Sequence, residues 1–144
     1  MNEHIHAAGA PQAVGHYPHA RRVGNLLFLS GIGPRNARDN SIPGDIIGQC
    51  HSVFANVRAV LEASGAHWND LVDVTVYLTD MARDFQAYNA VWAEYFPDAD
   101  SAPCRTTLGI TALPTPIAIE LKCIASIPPL PLAGEGWGEG GQGL

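Results

Sequence analysis

The stretch LVDVTVYLTDMARDFQAYNAVWAEYF (71–96) changes its hydrophobic period part-way along, and this change decides the fold class. Over 71–79 apolar and polar residues alternate, which is typical of a half-buried strand. Over about 82–96 large apolar residues recur every three or four positions, which predicts an amphipathic helix. Its apolar stripe consists of Phe85, Tyr88, Trp92 and either Tyr95 or Phe96, which we interpret as core residues.

The segments on either side extend this pattern. ARRVGNLLFLS (20–30) contains two short strands around Gly24 and Asn25, a pair of residues typical of a hairpin turn. After a loop rich in turn-forming residues, Asp45 is placed to cap a helix that ends at Gly65. Two final strands are predicted at 105–113 and 117–127, joined by a proline-bearing turn.

The predicted order of elements is β-β-α-β-α-β-β. This order favours an α+β fold, in which a mixed β-sheet carries both helices on one face. The other face of the sheet then meets solvent, a ligand or another subunit. A dimer or trimer that closes over this face would explain why its residues are neither strongly apolar nor strongly charged.

Length and composition exclude several classes of protein. A chain of 144 residues is a single domain with room for a proper core. The formal net charge is −6 and no basic run occurs, so nucleic acid is not an expected partner. No stretch approaches the roughly 20 apolar residues that span a bilayer, so no membrane partner is expected. The N-terminus does not resemble a secretory signal, and we expect a cytoplasmic protein.

Composition also divides the chain into three parts. Residues 1–12 are predicted to be a flexible N-terminal lead, 13–127 a single working domain and 128–144 a disordered tail rich in Gly and Pro. Cys50 and Cys123 fall on apolar rows and are interpreted as buried thiols. Together with Cys104 they form no C-x-x-C pair, and no metal site is predicted.

The last strand, within PIAIELKCIA (116–125), carries a carboxylate at its centre. Glu120 lies on the row opposite the apolar residues, so we expect it to face a reaction site. If the two final strands pair as a hairpin, Gly109 comes opposite Glu120, and Arg105 projects from the same face. A guanidinium is a strong partner for a carboxylate, so the two residues are either a substrate clamp with a proton-transferring acid or a structural ion pair. The pattern leaves both open.

Three stretches together resemble one known family. They are GHYPHARRVGNLLFLSG (15–31), VDVTVYLTDMARDFQAYNAVWAEYF (72–96) and PCRTTLGITALPTPIAIELKCIA (103–125). They are similar to the Rid/YjgF family of enamine/imine deaminases, and the P-x-R…E-(I/L)-x-(A/C)-I-A ending is the most specific part. Within that family, the Y-P-H-x-R-R-x-G start and the R-T-T after the proline resemble the 2-aminomuconate deaminases.

This resemblance implies a chorismate-mutase-like fold, a homotrimer with sites at the subunit clefts, and no metal or organic cofactor. It implies that Arg105 holds the carboxylate of a small-molecule substrate and that Glu120 positions or activates water. It also places five further residues in the substrate pocket, namely Tyr17, Ser30, Gly31, Asn89 and Thr107.

The closer resemblance implies hydrolytic deamination of 2-aminomuconate, an enamine dicarboxylate, to 4-oxalocrotonate and ammonia. The distal carboxylate needs a partner of its own, and Arg35 and His19 are the candidates. The alternatives are a solvated loop charge for Arg35 and a structural hydrogen bond for His19. Two other functions stay open: a broad deaminase of 2-imino acids such as 2-iminobutanoate and 2-iminopropanoate, and a non-catalytic trimer that binds a small acid.

Overall fold

The computed structural model describes residues 2–128, so all of the predicted tail (128–144) except residue 128 lies outside the described residues. Six strands form one sheet, and two long helices pack against one of its faces. The elements are β1 (Asn2–Ile5), β2 (Ala20–Val23), β3 (Leu26–Leu29), α1 (Ile46–Ala63), β4 (Leu71–Leu78), α2 (Met81–Tyr95), β5 (Cys104–Gly109) and β6 (Ile119–Ser126), with a 3-10 helix at Trp68–Asp70. The predicted α+β class, with both helices on one face, is confirmed.

Local signals in the sequence set the ends of the helices. At the start of α1, Asp45 accepts a hydrogen bond from the backbone N–H of Gly48, as predicted. Asp80 caps α2 in the same way through the N–H of Arg83. Beyond the last turn of α1, Gly65 has a left-handed φ of 78°, which a glycine adopts without strain.

The strand order across the sheet is β1-β2-β3-β6-β4-β5. The predicted hairpin of β2 and β3 is present, with Val23 opposite Leu26 and a φ of 61° at Gly24 in the turn. All neighbouring strands are antiparallel except β4 and β5, which run parallel. The sheet is therefore mixed, as predicted.

The predicted hairpin of the last two strands is wrong. Both strands pair with β4, β5 on one side and β6 on the other, so β4 separates them. Because α2 carries the chain back across the sheet, β5 enters parallel to β4 as in other β-α-β units. The segment 110–118 then passes the end of β4, where Ile110 N–H donates to Leu78 O and Thr79 N–H donates to Ala118 O.

A strand at the N-terminus corrects the prediction of a flexible lead over 1–12. Residues Asn2–Ile5 pair antiparallel with β2, and His4 lies opposite Arg21. This four-residue segment is mostly polar, so it shows too little alternation of apolar and polar residues to be predicted as a strand. Such an edge strand is stabilised mainly by pairing with its neighbour. Further along the same segment, Ala7 and Ala10 are buried in the core.

The core lies between the helices and the sheet face that they cover. Leu27, Val76 and Leu121 represent three adjacent strands on this face, and all are fully buried or nearly so. Cys50 and Cys123 are buried thiols as predicted, and burial raises the pKa of each to about 12. Cys104 is exposed. Within residues 2–128, neither helix is long and apolar enough to cross a bilayer.

Candidate active site

Glu120 projects from the sheet face that the helices leave uncovered. Its neighbours in β6, Ile119 and Leu121, are buried on the opposite, helix-covered face. The carboxylate lies against Gly31: a Cβ atom on this residue would be 2.5 Å from Glu120 Oε2. A side chain at this position would therefore displace the carboxylate. Burial raises the pKa of Glu120 above its ordinary value.

A cavity of about 160 Å³ opens beside this carboxylate, and we call it the Glu120 cleft. The cleft gathers most of the residues that the sequence predicted for the site. Its lining includes Tyr17, His19, Ser30, Gly31, Arg35 and Glu120, together with residues of the 11–14 segment and Pro114, Thr115 and Ile117. The loop residues among them come from three separate stretches of chain that converge at the end of β6.

His19 holds the backbone around the cleft. Its Nδ1 accepts a hydrogen bond of 2.9 Å from Ala7 N–H, and its Nε2 donates to Pro11 O at 2.6 Å. Both ring nitrogens are thus occupied by backbone partners. The structure favours the structural alternative for His19 over a role as partner of a distal carboxylate.

Ser30 is similarly engaged, since its hydroxyl donates to Pro18 O at 2.7 Å. Its oxygen lone pairs stay available, so Ser30 can accept a hydrogen bond from a ligand but not donate one. Tyr17 differs because its side chain is 40% exposed at the mouth of the cleft. This phenol is free to contact a ligand that enters.

Arg35 is the only one of the two candidate distal partners with donors to spare. One of its terminal nitrogens, Nη2, donates to Gln12 O. Its Nε is buried and has no hydrogen-bond partner within residues 2–128. Buried guanidinium N–H groups are almost always paired, so this donor is suited to an anionic ligand.

Arg105 and Thr107 lie on the other, helix-covered face of the sheet. The guanidinium carbon of Arg105 is 5.1 Å from the ring centroid of Tyr88 and 4.9 Å from that of Trp92. Thr107 Oγ1 is 2.9 Å from the phenol oxygen of Tyr88. We call these four residues the Arg105 platform. Asn89, the next residue of α2, is exposed.

The expectation that Arg105 and Glu120 share a face within one chain is therefore wrong. In β4, Val74 lies beside Arg105 and Tyr77 lies beside Glu120. Val74 and Tyr77 are an odd number of positions apart, so they point to opposite faces of the sheet. The error follows from the predicted hairpin, because it placed Gly109 directly beside Glu120 without β4 in between.

Three polar residues of α1, which sequence reasoning did not single out, hold the loops around the cleft. Asn56 Nδ2 donates to Gly33 O and Arg35 O, and Ser52 Oγ donates to Pro34 O. Gln49 completes the set by donating to Pro43 O and accepting from Ala118 N–H. The available signal was their spacing, since Gln49, Ser52 and Asn56 share one side of the helix.

A comparison with known proteins fits this arrangement. Residues 7–127 match a family model described as endoribonuclease L-PSP. The chain belongs to this family, the Rid/YjgF family. Its six-stranded sheet with two helices matches solved structures of family members, so the chorismate-mutase-like fold implied by the resemblance is confirmed. Within residues 2–128 no group of three or more His, Cys, Asp or Glu is placed to hold a metal ion.

Several Rid/YjgF relatives align with this chain over nearly their whole length. A RutC family protein of Pyrococcus horikoshii is 41% identical, over 87% of this chain and 98% of that protein. A protein of Dermatophagoides farinae named 2-iminobutanoate/2-iminopropanoate deaminase is 38% identical, over 82% of this chain and 91% of its own. The crystal structure of Escherichia coli TdcF with bound serine has a TM-score of 0.80 and 30% identity, covering 86% of this chain and 98% of that one.

Proposed function

We propose that this chain hydrolyses small 2-imino acids and their enamine tautomers to 2-oxo acids and ammonia. The observation that carries the proposal is the carboxylate of Glu120, half-buried beside Gly31 in a cavity and free of any salt bridge within residues 2–128. A carboxylate with a raised pKa in a small cleft is suited to orient water and to exchange a proton with it.

The reaction needs no more than this carboxylate, a cation and water. Arg105 binds the carboxylate next to the C=N carbon through paired, charge-assisted hydrogen bonds. Glu120 orients water and accepts its proton as the oxygen bonds to that carbon, and the electron pair of the C=N bond moves to nitrogen. The nitrogen takes up this proton from Glu120 and becomes an amino group. The proton of the new hydroxyl group then passes through Glu120 to the same nitrogen, the C–N bond breaks with its electron pair going to nitrogen, and ammonia leaves as the C=O bond forms. Positioning supplies most of the acceleration, because imines react readily with water.

The proposal includes assembly of several copies of the chain. Since Arg105 and Glu120 lie on opposite faces of one sheet, a site that uses both must combine the Arg105 platform of one copy with the Glu120 cleft of another. The uncovered sheet face supports such assembly, because it carries large apolar residues that are 36–45% exposed. These side chains are Val23, Leu26, Phe28 and Leu108. A homotrimer, implied by the family resemblance, is the arrangement we propose.

The relatives support a small substrate with a carboxylate. One is named as a deaminase of two short 2-imino acids, and the solved structure of another holds serine. The word endoribonuclease in the family description suggests RNA instead, but a formal net charge of −6 opposes the binding of a phosphate backbone. A cytoplasmic reaction without a metal or organic cofactor is part of the proposal.

The test is hydrolysis of 2-iminobutanoate generated in situ by an amino acid oxidase. Purified protein should release ammonia faster than the spontaneous reaction does. Arg105→Ala should abolish most of this activity, because it removes the carboxylate clamp. Arg58→Ala is the matched control, since Arg58 also lies over a tryptophan ring, 4.8 Å from the centroid of Trp68, but away from both parts of the site.

Two results would contradict the proposal. Wild-type protein that never exceeds the spontaneous rate would favour the non-catalytic, acid-binding alternative. An Arg105→Ala protein as active as Arg58→Ala would remove the proposed clamp while leaving the deaminase activity itself in place.

A specific observation favours 2-aminomuconate as a second candidate substrate. Arg35 brings a second guanidinium into the Glu120 cleft, and its Nε has no partner within residues 2–128. A 2-imino acid with a single carboxylate leaves this donor unused. A dicarboxylate such as 2-aminomuconate has its distal carboxylate available for it, and the product is then 4-oxalocrotonate.

Arg35→Ala tests this choice of substrate. Charge-assisted hydrogen bonds contribute about 1.5–3 kcal/mol, so kcat/KM for 2-aminomuconate should fall roughly 10- to 150-fold. The value for 2-iminobutanoate should change little. Arg38→Ala removes an equal charge from the same loop without touching the cleft, and it serves as the control. Equal losses on both substrates would exclude a role for Arg35 in recognising the second carboxylate.

A further inference from the structure

The guanidinium of Arg105 rests on two aromatic rings of α2. Tyr88 and Trp92 are four residues apart, so they lie on the same side of the helix. Tyr88 is fully buried and Trp92 is 8% exposed, and their ring centroids are 6.4 Å apart. Both rings lie within 5.1 Å of the Arg105 guanidinium carbon, a distance at which a cation is attracted to an aromatic face.

We propose that Tyr88 and Trp92 are positioning residues that fix the orientation of Arg105 and thereby set the affinity for the substrate carboxylate. This inference rests on the proposed function. It gives the two rings a role beyond the core role that their spacing predicts.

Arg105 depends on such support because little else holds it. Among the strands that the structure describes, β5 is at the edge of the sheet and pairs only with β4. Within residues 2–128 no acidic side chain forms a salt bridge with Arg105. Aromatic faces restrain a guanidinium differently from an acidic partner, since they attract its charge without neutralising it. The cation therefore stays available for an incoming carboxylate.

Tyr88 also links the platform together. Its phenol oxygen is 2.9 Å from Thr107 Oγ1, and Thr107 lies two residues after Arg105 on the same face of β5. One buried side chain thus contacts both residues that β5 contributes to the predicted site. A shift of α2 relative to β5 would move Arg105 and Thr107 together.

The test compares two tryptophans. In Trp92→Leu, KM for 2-iminobutanoate and Kd for the product 2-oxobutanoate should both rise roughly 2- to 30-fold, with kcat nearly unchanged. Trp92→Phe should raise them less, because phenylalanine retains an aromatic face. Trp68→Leu is the matched control. The Trp68 ring carries the guanidinium of Arg58 and contacts Phe54 and Phe96, as the Trp92 ring does, but within residues 2–128 the rings beneath Arg105 are those of Tyr88 and Trp92.

A purely structural role predicts a different pattern. Loss of folded protein lowers the apparent kcat and leaves KM and Kd where they were. Equal KM and Kd values in Trp92→Leu and Trp68→Leu would therefore overturn the inference. If the leucine variants do not fold, the milder pair Trp92→Phe and Trp68→Phe decides the same question.

The titration with 2-oxobutanoate separates this inference from the proposed function. A wild-type protein that releases no ammonia but binds 2-oxobutanoate, with affinity lost in Trp92→Leu and retained in Trp68→Leu, would overturn the deaminase and keep the positioning role. An active enzyme with the same KM in Trp92→Leu and Trp68→Leu would overturn the positioning role and keep the deaminase. Absence of both turnover and binding would overturn both.

Discussion

At Glu120 the chain carries a carboxylate in surroundings that disfavour its ionised form, because burial beside the cleft raises its pKa. Between the ordinary value of 4.5 and the raised one, the folded chain holds a proton that the unfolded chain has lost. Stability conferred by this group therefore falls as pH rises through that window. In the proposed reaction such a position is useful, because a pKa closer to neutral pH suits a group that accepts a proton and returns it.

Glu120→Gln should therefore separate stability from activity. At neutral pH the variant should unfold at a higher temperature than the wild type, because it no longer buries a charge, and the difference should vanish below about pH 4. Ammonia release should fall at least about 100-fold, as expected for loss of a general base. Thermal melts and initial rates across pH measure the two effects. A variant with the wild-type rate and pH profile would remove Glu120 from the mechanism.

Gly31 shows how one absent side chain makes this arrangement possible. An alanine Cβ at this position would lie 2.5 Å from Glu120 Oε2, so the carboxylate would have to move. Resemblance to the family placed Gly31 in the pocket, but only the structure shows that it makes room for Glu120. The sequence shows that position 31 is a glycine, but it does not show how close this residue lies to Glu120.

Helix α1 is the element that shapes the cleft without lining it. Its polar residues bind the carbonyl oxygens of loop residues 33–35 and 43. Pro34 and Arg35 line the cleft, so α1 holds this part of the cleft wall in place through residues that do not line the cleft themselves. These hydrogen bonds tie the position of the cleft wall to α1.

Ser52 of α1 and Ser64, the residue that follows the helix, allow this role to be measured. Ser52 Oγ donates to the loop carbonyl Pro34 O, while Ser64 Oγ donates back to Val60 O in the last turn of α1. Each alanine variant should lose about 1 kcal/mol of unfolding free energy, the contribution of one hydrogen bond. Only Ser52→Ala should also raise KM, by up to about tenfold, because only that bond reaches the cleft wall. Equal KM values in the two variants would show that the loop keeps its position without Ser52.

Elements with local signals were predicted well, and those that depend on distant partners were not. The cap at Asp45 and the turn at Gly24 are set by neighbouring residues, and both were confirmed. The strand with which β5 pairs is determined by the path of α2 across the sheet, and the residues of β5 do not indicate this path. Strand β1 was missed for the same reason, since pairing with β2 stabilises it.

At the scale of the whole molecule, the composition of the site depends on which face of the sheet each residue occupies, more than on how far apart two residues lie along their strands. The fold class was predicted from the sequence and its family resemblance, and most of the predicted site residues lie in the Glu120 cleft. The relation between Arg105 and Glu120 could not be, because it depends on the strand order β6-β4-β5. An alternating pattern gives two faces to every strand but does not say which faces of two strands coincide.

Mixed assemblies test the proposal that each site is shared between two copies. Arg105→Ala and Glu120→Gln chains should each be inactive alone. Combined in equal amounts and allowed to exchange subunits, they should regain about a quarter of the wild-type rate, because one pairing in four joins an intact Arg105 to an intact Glu120. Mixing without subunit exchange is the control. Activity that stays at the level of the separate variants would mean that each site lies within one chain.

The separation of Arg105 and Glu120 across the sheet also bears on inheritance. In the proposed assembly, a chain defective at both residues would assemble with normal chains and remove a contribution from the sites on both sides. Activity would then fall by more than the share of defective product, and an allele that encodes such a chain would act as dominant over the normal one.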